Sequence, residues 1–341
     1  MFFTCKLKAR TAAPALIAAL LLLALIPVLG RALAAASQEK KDFIKWVDFD
    51  VPASVLRQAL DLDAASYGSD QGHVSWLDLL AYLAAKYGGD FSLYRDSDLE
   101  KAAELVKSGE DLTQLASFSY YREAYGAVLG GFAGEYTQSA ENGPELCYGL
   151  TAYSPIAKTF PYSDYDDFGV SREYGYRRRH LGHDMMAAVG TPVIAVEGGV
   201  VENLGWNQYG GWRIGIRSAD GLRYHYYAHL RKDRPFAQGL AVGKTVEAGD
   251  VIGYVGRTGY SAKENVNGIE QSHLHYGLQI IFDESQKEGN GEIWVDVYQL
   301  CQLLRSRQCP VQRDDATKEW YRADTPTPPP PDGADPSLPA G

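Results

Sequence analysis

The sequence predicts an all-β antiparallel domain preceded by a small α-helical domain. Three observations carry this reading. From Val51 to about Tyr136, apolar residues recur at helical spacing. From about Thr151, glycines become frequent and β-branched residues gather in short runs between turn signals. The third is the histidine distribution: six of seven lie between His180 and His275, all inside the β-textured part. A chain of 341 residues with 45% apolar and 22% charged residues has room for two such domains and a sizeable core. The net charge of −10, with no basic stripe carrying interleaved aromatics, argues against nucleic-acid binding.

The N-terminus reads as an export signal. Lys6, Lys8 and Arg10 precede an uncharged run from Thr11 to Gly30, followed by small residues through Ala36. The run is 20 residues, long enough to span a bilayer, so residues 1–36 are read as a cleaved signal peptide or an N-terminal membrane anchor. In both cases the charge asymmetry places the remainder outside the cytoplasm. Residues 37–50 form a charged connector.

Residues 51–140 are assigned to the helical domain. Trp76, Leu79, Leu80 and Leu83 recur at i, i+3, i+4, i+7, with Ser75 as the expected cap and Gly88 as the stop. Ser97-Asp-Leu-Glu100 has the capping-box pattern and marks a second helix. A third is expected over Leu115–Leu129. His73, just before its capped helix, reads as a surface or structural histidine.

Residues 151–310 are assigned to the β domain. The strand runs are Pro192–Val196, Gly199–Val201, Trp212–Ile216, Asp250–Val255 and Leu278–Phe282, and Ala219-Asp-Gly-Leu222 signals a hairpin. Cys301 and Cys309 either close a short loop or are unrelated thiols. No C-x-x-C occurs, which excludes the usual cysteine zinc sites. The tail, 324–341, carries seven of the sixteen prolines and is expected to be extended or disordered.

His273-Leu-His275 opens a strand-like run, and alternation projects both imidazoles to one face. In Arg179-His-Leu-Gly-His-Asp184, His180 and Asp184 share a face in either a helix or a strand. Gly182 and the following Gly-Thr-Pro disfavour a helix, which turns His183 away. His225 and His229 are same-face partners if the aromatic run Tyr224–Leu230 is a regular strand. Hydrolytic zinc sites use three protein ligands, typically histidine and carboxylate, and keep the fourth position for water. His180, Asp184 and one histidine of the His-Leu-His pair supply such a set, with two histidines left for protons and oxyanion. The absence of His-Glu-x-x-His excludes the thermolysin-like arrangement.

The segment from about Phe160 to Gln279 resembles the lysostaphin-type zinc metalloendopeptidases, which include the β-lytic metalloproteases. The resemblance rests on His180-x-x-x-Asp184, Tyr227-Ala-His-Leu230 and His273-Leu-His275. Gly190-Thr-Pro-Val193, Gly198-Gly-Val-Val201 and Ala248–Gly259 extend it. It implies a duplicated-hybrid-motif, barrel-sandwich-like fold. It implies one Zn2+ per chain on His180, Asp184 and His275, with His229 and His273 as the catalytic pair, their separate roles left open. The implied activity is hydrolysis of peptide bonds in the stem peptides or cross-bridges of cell-wall peptidoglycan, by attack of zinc-bound water. Asn207–Trp212 and Ala262–Gln271 are expected groove loops. The competing reading is a non-catalytic cell-wall binding or scaffolding protein that retains the metal site. An exported protein of this kind is either secreted to the wall or attached to the outer face of the cytoplasmic membrane through residues 11–30.

Overall fold

The computed structural model describes residues 43–70, 72–140, 143–174 and 176–323. The export segment, residues 37–42 of the connector and the proline-rich tail lie outside them. Among the described residues, no helix is long and apolar enough to cross a membrane.

Four helices come first: α1 (Ala53–Ser66), α2 (Trp76–Tyr87), α3 (Asp96–Lys107) and α4 (Phe118–Leu129). The periodic residues Trp76, Leu79, Leu80 and Leu83 of α2 are all buried, and Gly88 ends the helix at φ 63°. The caps differ from expectation. Ser75 makes no side-chain cap bond; the N–H of Trp76 is instead taken by Asp63 Oδ2 from α1 at 2.8 Å. Asp63 Oδ1 also meets His73 Nε2 at 2.5 Å, so His73 is a structural histidine at the surface. Helix α3 begins at Asp96 with Arg95 in the cap position, which places Ser97 inside the first turn rather than at the cap. Helix α4 starts at Phe118, three residues later than its periodicity suggests, because Ser117 adopts a left-handed φ of 65°.

A hairpin follows, β1 (Ala133–Ala140) with β2 (Gly143–Leu150). Then come β3 (Tyr162–Ser163), β4 (Ser171–Tyr174), β5 (Tyr176–Arg179), β6 (His183–Ala187), β7 (Pro192–Ile194), β8 (Gly199–Asn207), β9 (Gly211–Ser218) and β10 (Arg223–Ala228). They continue with β11 (Thr245–Val246), β12 (Val251–Tyr254), β13 (His273–Ile280) and β14 (Ile293–Val295). A short helix α5 (Tyr298–Leu304) and the pair β15 (Val311–Arg313) and β16 (Trp320–Arg322) end the described chain.

The main sheet runs β11-β8-β9-β10-β13-β6-β3, with β14 also on β13, and every pairing is antiparallel. The expected Ala219–Leu222 turn joins β9 to β10. One apolar cluster runs from α1, α2 and α4 into the inner face of this sheet. At that junction the buried Arg223 grips both oxygens of Glu197, at 2.7 and 3.0 Å, and the Ala127 carbonyl of α4 at 2.9 Å. No disulfide joins Cys301 and Cys309: both are buried thiols, and Cys309 Sγ donates to the Gly249 carbonyl at 3.2 Å.

Candidate metal centre

Register decides what the sheet brings together. His275 of β13 pairs with Asp184 of β6 on one side and with Ala228 of β10 on the other. Directly opposed residues share a face, so Asp184 and His275 point into one groove. His180 lies in the bend just before β6 and folds onto them. Its Nε2 stands 3.0 Å from Asp184 Oδ1 and 3.0 Å from His275 Nδ1, and His275 Nδ1 stands 2.9 Å from the same Oδ1. Gly182 permits this closure: a Cβ there would stand 2.6 Å from the His275 ring and 2.8 Å from the Tyr276 carbonyl.

Two imidazole nitrogens and a carboxylate oxygen converging this closely fit a metal ion. Zinc bonds of 2.0–2.1 Å in a tetrahedron set ligand atoms about 3.3 Å apart, close to the observed edges. Among the described residues, this is the one group of three with donor atoms so arranged. The electrostatics agree. Burial alone would raise the Asp184 pKa, but hydrogen bonds with His180 and His275 hold it far below the usual carboxylate range. Burial pushes His275 below its ordinary value, with His180 and His273 adding to the effect against Asp184. Burial acts the same way on His180, but there the Asp184 and Asp167 carboxylates outweigh it and raise the group. Ionised carboxylate and neutral imidazole are the forms that bind metal, so Asp184 and His275 are shifted toward the binding form, while His180 must give up a proton that its carboxylate neighbours favour.

Behind the donor atoms, His180 Nδ1 faces Asp167, hydrogen-bonded to its backbone carbonyl at 3.3 Å with the carboxylate Oδ1 at 3.0 Å, which leaves Nε2 for the groove. Arg172 joins Asp167 to Asp184, meeting Asp184 Oδ2 at 3.1 Å. Neither role was legible in the sequence: Asp167-Phe-Gly-Val170 fits the entry to the resembled domain without tying Asp167 to His180, and Arg172 matches no distinguishing spacing.

His229 and His273 flank the centre with ring centroids 4.8 Å apart. Each donates its Nδ1–H to a backbone carbonyl at 2.9 Å, His229 to Thr258 and His273 to Gln271, a tautomer fixed by those partners. Both therefore turn Nε2 inward; that of His273 lies 3.8 Å from Asp184 Oδ1. Burial, with His273 and His275 nearby, pushes His229 well below its ordinary pKa.

The pairing of His225 with His229 fails. Strand β10 ends at Ala228, and His229 takes a left-handed φ of 61°. A regular strand would carry His229 to the inner face with His225. The positive φ instead swings it to the groove, while His225 stays in the core between Glu197 (3.0 Å) and Tyr276 (2.9 Å). His183 does point away: it is buried and meets Asp164 Oδ2 at 2.9 Å. Of the two expected loops, Asn207, Tyr209 and Gly210 line the groove, whereas no residue of 262–271 does.

The groove is a cavity of 540 Å³ containing His180, Asp184, His229 and His275 on its walls. Residues 178–288, which hold His180, Asp184, His229, His273 and His275, match the model of peptidase family M23. The chain carries an M23 domain. The domain is similar to the L-Ala–D-Glu endopeptidase of Bacillus subtilis, 38% identical over 169 residues, covering 50% of this chain and 49% of that protein. It is also similar to lysostaphin of Staphylococcus staphylolyticus, 38% identical over 98 residues, covering 28% of this chain and 18% of that one. The chain thus spans about half the length of the first relative and less of the second. The crystal structure of a candidate glycyl-glycine endopeptidase, lytM, from Ruminococcus gnavus has the same fold. It matches with a TM-score of 0.52 at 24% identity, over 78% of this chain and 92% of that one.

Proposed function

We propose that the chain is an exported zinc endopeptidase that hydrolyses peptide bonds in bacterial cell-wall peptidoglycan. The observation that carries this reading is the convergence of His180, Asp184 and His275 within about 3 Å, with His229 and His273 facing them. His180, Asp184 and His275 would hold the ion. When bound, zinc supplies Lewis-acid polarisation and makes water acidic enough to attack at neutral pH.

The protein supplies the rest. Asp167 and Arg172 fix the orientation of His180 and Asp184. The carbonyls of Thr258 and Gln271 hold His229 and His273 with Nε2 lone pairs toward the scissile bond. A neutral imidazole there takes a proton from the attacking water; once protonated, it donates to the oxyanion or to the leaving amine. Two such rings allow one to accept while the other donates. Residues 11–36, by their apolar run and small-residue end, support export. The matched segment shared with the L-Ala–D-Glu endopeptidase is longer than that shared with lysostaphin, 169 against 98 residues, which supports a stem-peptide bond.

The test is mass spectrometry of fragments released from purified peptidoglycan by the full chain, with and without a zinc chelator. Chelator-sensitive appearance of new amino termini is expected, and it identifies the bond. Zinc binding with no release from several wall chemistries would replace this reading with the scaffold one.

A further inference from the structure

Several cations line the groove. Arg172 is neutralised by Asp167 and Asp184, Lys287 by Glu202, and Arg179 sits exposed at the rim. Arg178 and Arg213 differ. Both line the groove, both are partly buried, and the Nε of each is shut off from solvent with no hydrogen-bond partner among the described residues. No ion pair is formed by either among those residues. Acidic groups on the same wall are engaged or exposed: Glu292 accepts from Gly289 and Trp294, and Glu288 is exposed. In a chain of net charge −10, two unneutralised guanidinium groups in one cavity call for an anion.

Their placement relative to the reacting centre is set by the fold. The β9–β10 register, continued by one residue, sets Arg213 beside Ala228; Ala228 pairs with His275, and His275 with Asp184. These four form one row across the sheet, so Arg213 shares the groove face with the metal centre. Two strand spacings separate it from His275, about 10 Å between backbones. Arg178 comes from the facing hairpin. Its guanidinium lies 5.1 Å from the Tyr209 ring and 5.0 Å from the Tyr260 ring and donates to the Tyr260 hydroxyl. Tyr260 in turn packs 5.9 Å from His229. Stacking fixes the fork without neutralising it, as suits bidentate recognition of a carboxylate.

We propose that Arg178 and Arg213 form a carboxylate subsite that selects peptides with a free internal carboxylate beside the scissile bond. This rests on the endopeptidase reading above. An extended peptide advances about 3.3 Å per residue, so the carboxylate belongs to a residue at the bond or one or two removed from it. A γ-linked glutamate, whose α-carboxylate stays free, has this chemistry; a glycine cross-bridge lacks it.

The experiment uses the full chain with two synthetic stem peptides, identical except that one carries γ-linked D-glutamate and the other its α-carboxamide, D-isoglutamine. Cleavage gives kcat/KM, and fluorescence anisotropy of labelled peptides gives Kd independently of turnover. The carboxylate peptide is expected to be favoured about tenfold or more in both. Arg178→Gln and Arg213→Gln should each shrink that ratio, chiefly through KM and Kd, whereas Arg313→Gln, on the exposed β15 strand, should leave it unchanged. Peptides ending in acid or amide form the second arm. A preference that follows the terminus instead of the internal group overturns the proposal. So does equal binding of the two stem peptides, or a preference indifferent to both substitutions. If binding shows the preference but no peptide is cleaved with zinc present, the subsite stands and the endopeptidase reading fails.

Discussion

Asp184 Oδ1 is within 3.0 Å of both other donor atoms, so its loss removes charge and geometry together. Asp184→Ala is expected to abolish stoichiometric zinc binding, measured by metal analysis after dialysis. His273→Ala should keep zinc, because His273 Nε2 stands 3.8 Å from Asp184 rather than among the donors, yet lose at least about a hundredfold in turnover. Full activity of this variant on sacculi would remove His273 from the mechanism. Asp167→Asn leaves every donor atom and the Asp167 carbonyl in place but removes the negative charge 3.0 Å from His180 Nδ1. Zinc affinity should fall about 10- to 100-fold, read by competition with a chromogenic chelator; an unchanged affinity would mean that Asp167 does not position His180. At this scale the sequence shows residue types and spacing, and Asp167-Phe-Gly-Val170 fits the entry to the resembled domain, but nothing in it ties Asp167 to His180.

Strands and turns decide which of those residues meet. The alternation of β13 puts His273 and His275 on one face, as a local rule applied to three residues. The same rule fails at His229, because alternation ends where the strand ends and the backbone turns left-handed. Caps fail for a similar reason: Asp63, thirteen residues before Trp76, accepts the N–H that Ser75 was expected to cap. Gly182 belongs to this scale too. Gly182→Ala places a methyl group against the His275 ring and the Tyr276 carbonyl, so a cost of about 1–3 kcal/mol is expected. Denaturant unfolding measures it, and a variant as stable as the parent, with parental zinc affinity, would show that the bend has room to relax.

The fold as a whole depends on a buried polar junction between the helices and the sheet. Burial alone would raise the Glu197 pKa, but His225 and Arg223 bring it down from 4.5 to about 2. At about 1.4 kcal/mol per unit, this is worth about 3 kcal/mol. Because the folded-state value is depressed, the contribution is complete above 4.5 and is lost as pH falls from there through about 2. Glu197→Gln should therefore be less stable than the parent at pH 7 and flatten that part of the acid-unfolding curve; parallel curves for the two proteins would sink the assignment. Glu197→Ala leaves Arg223 buried without its main partner, and a loss of about 3–5 kcal/mol is expected. The likeness to the R. gnavus structure covers 78% of this chain, more than the M23 segment alone, so the shared architecture includes residues outside that segment.

The sequence by itself determined the fold class and the clustering of six histidines between His180 and His275, whereas the strand Ala133–Ala140 falls inside the span read as helical. Hydrophobic period, turn chemistry and side-chain alternation are local properties, and local properties survive in a linear string. It also carried His180, Asp184, His229, His273 and His275 as a candidate set, because their spacings resemble one family. Only the tertiary structure decided that His225 belongs to the core and His229 to the groove, since one backbone angle separates the two outcomes. Only cross-strand register set Arg213, Ala228, His275 and Asp184 in one row, and register joins residues up to 91 positions apart. The pairing of Arg223 with Glu197 and the absence of a Cys301–Cys309 bond were likewise settled by packing. Burial and charge neutralisation depend on every neighbouring element at once, and no window of sequence contains them.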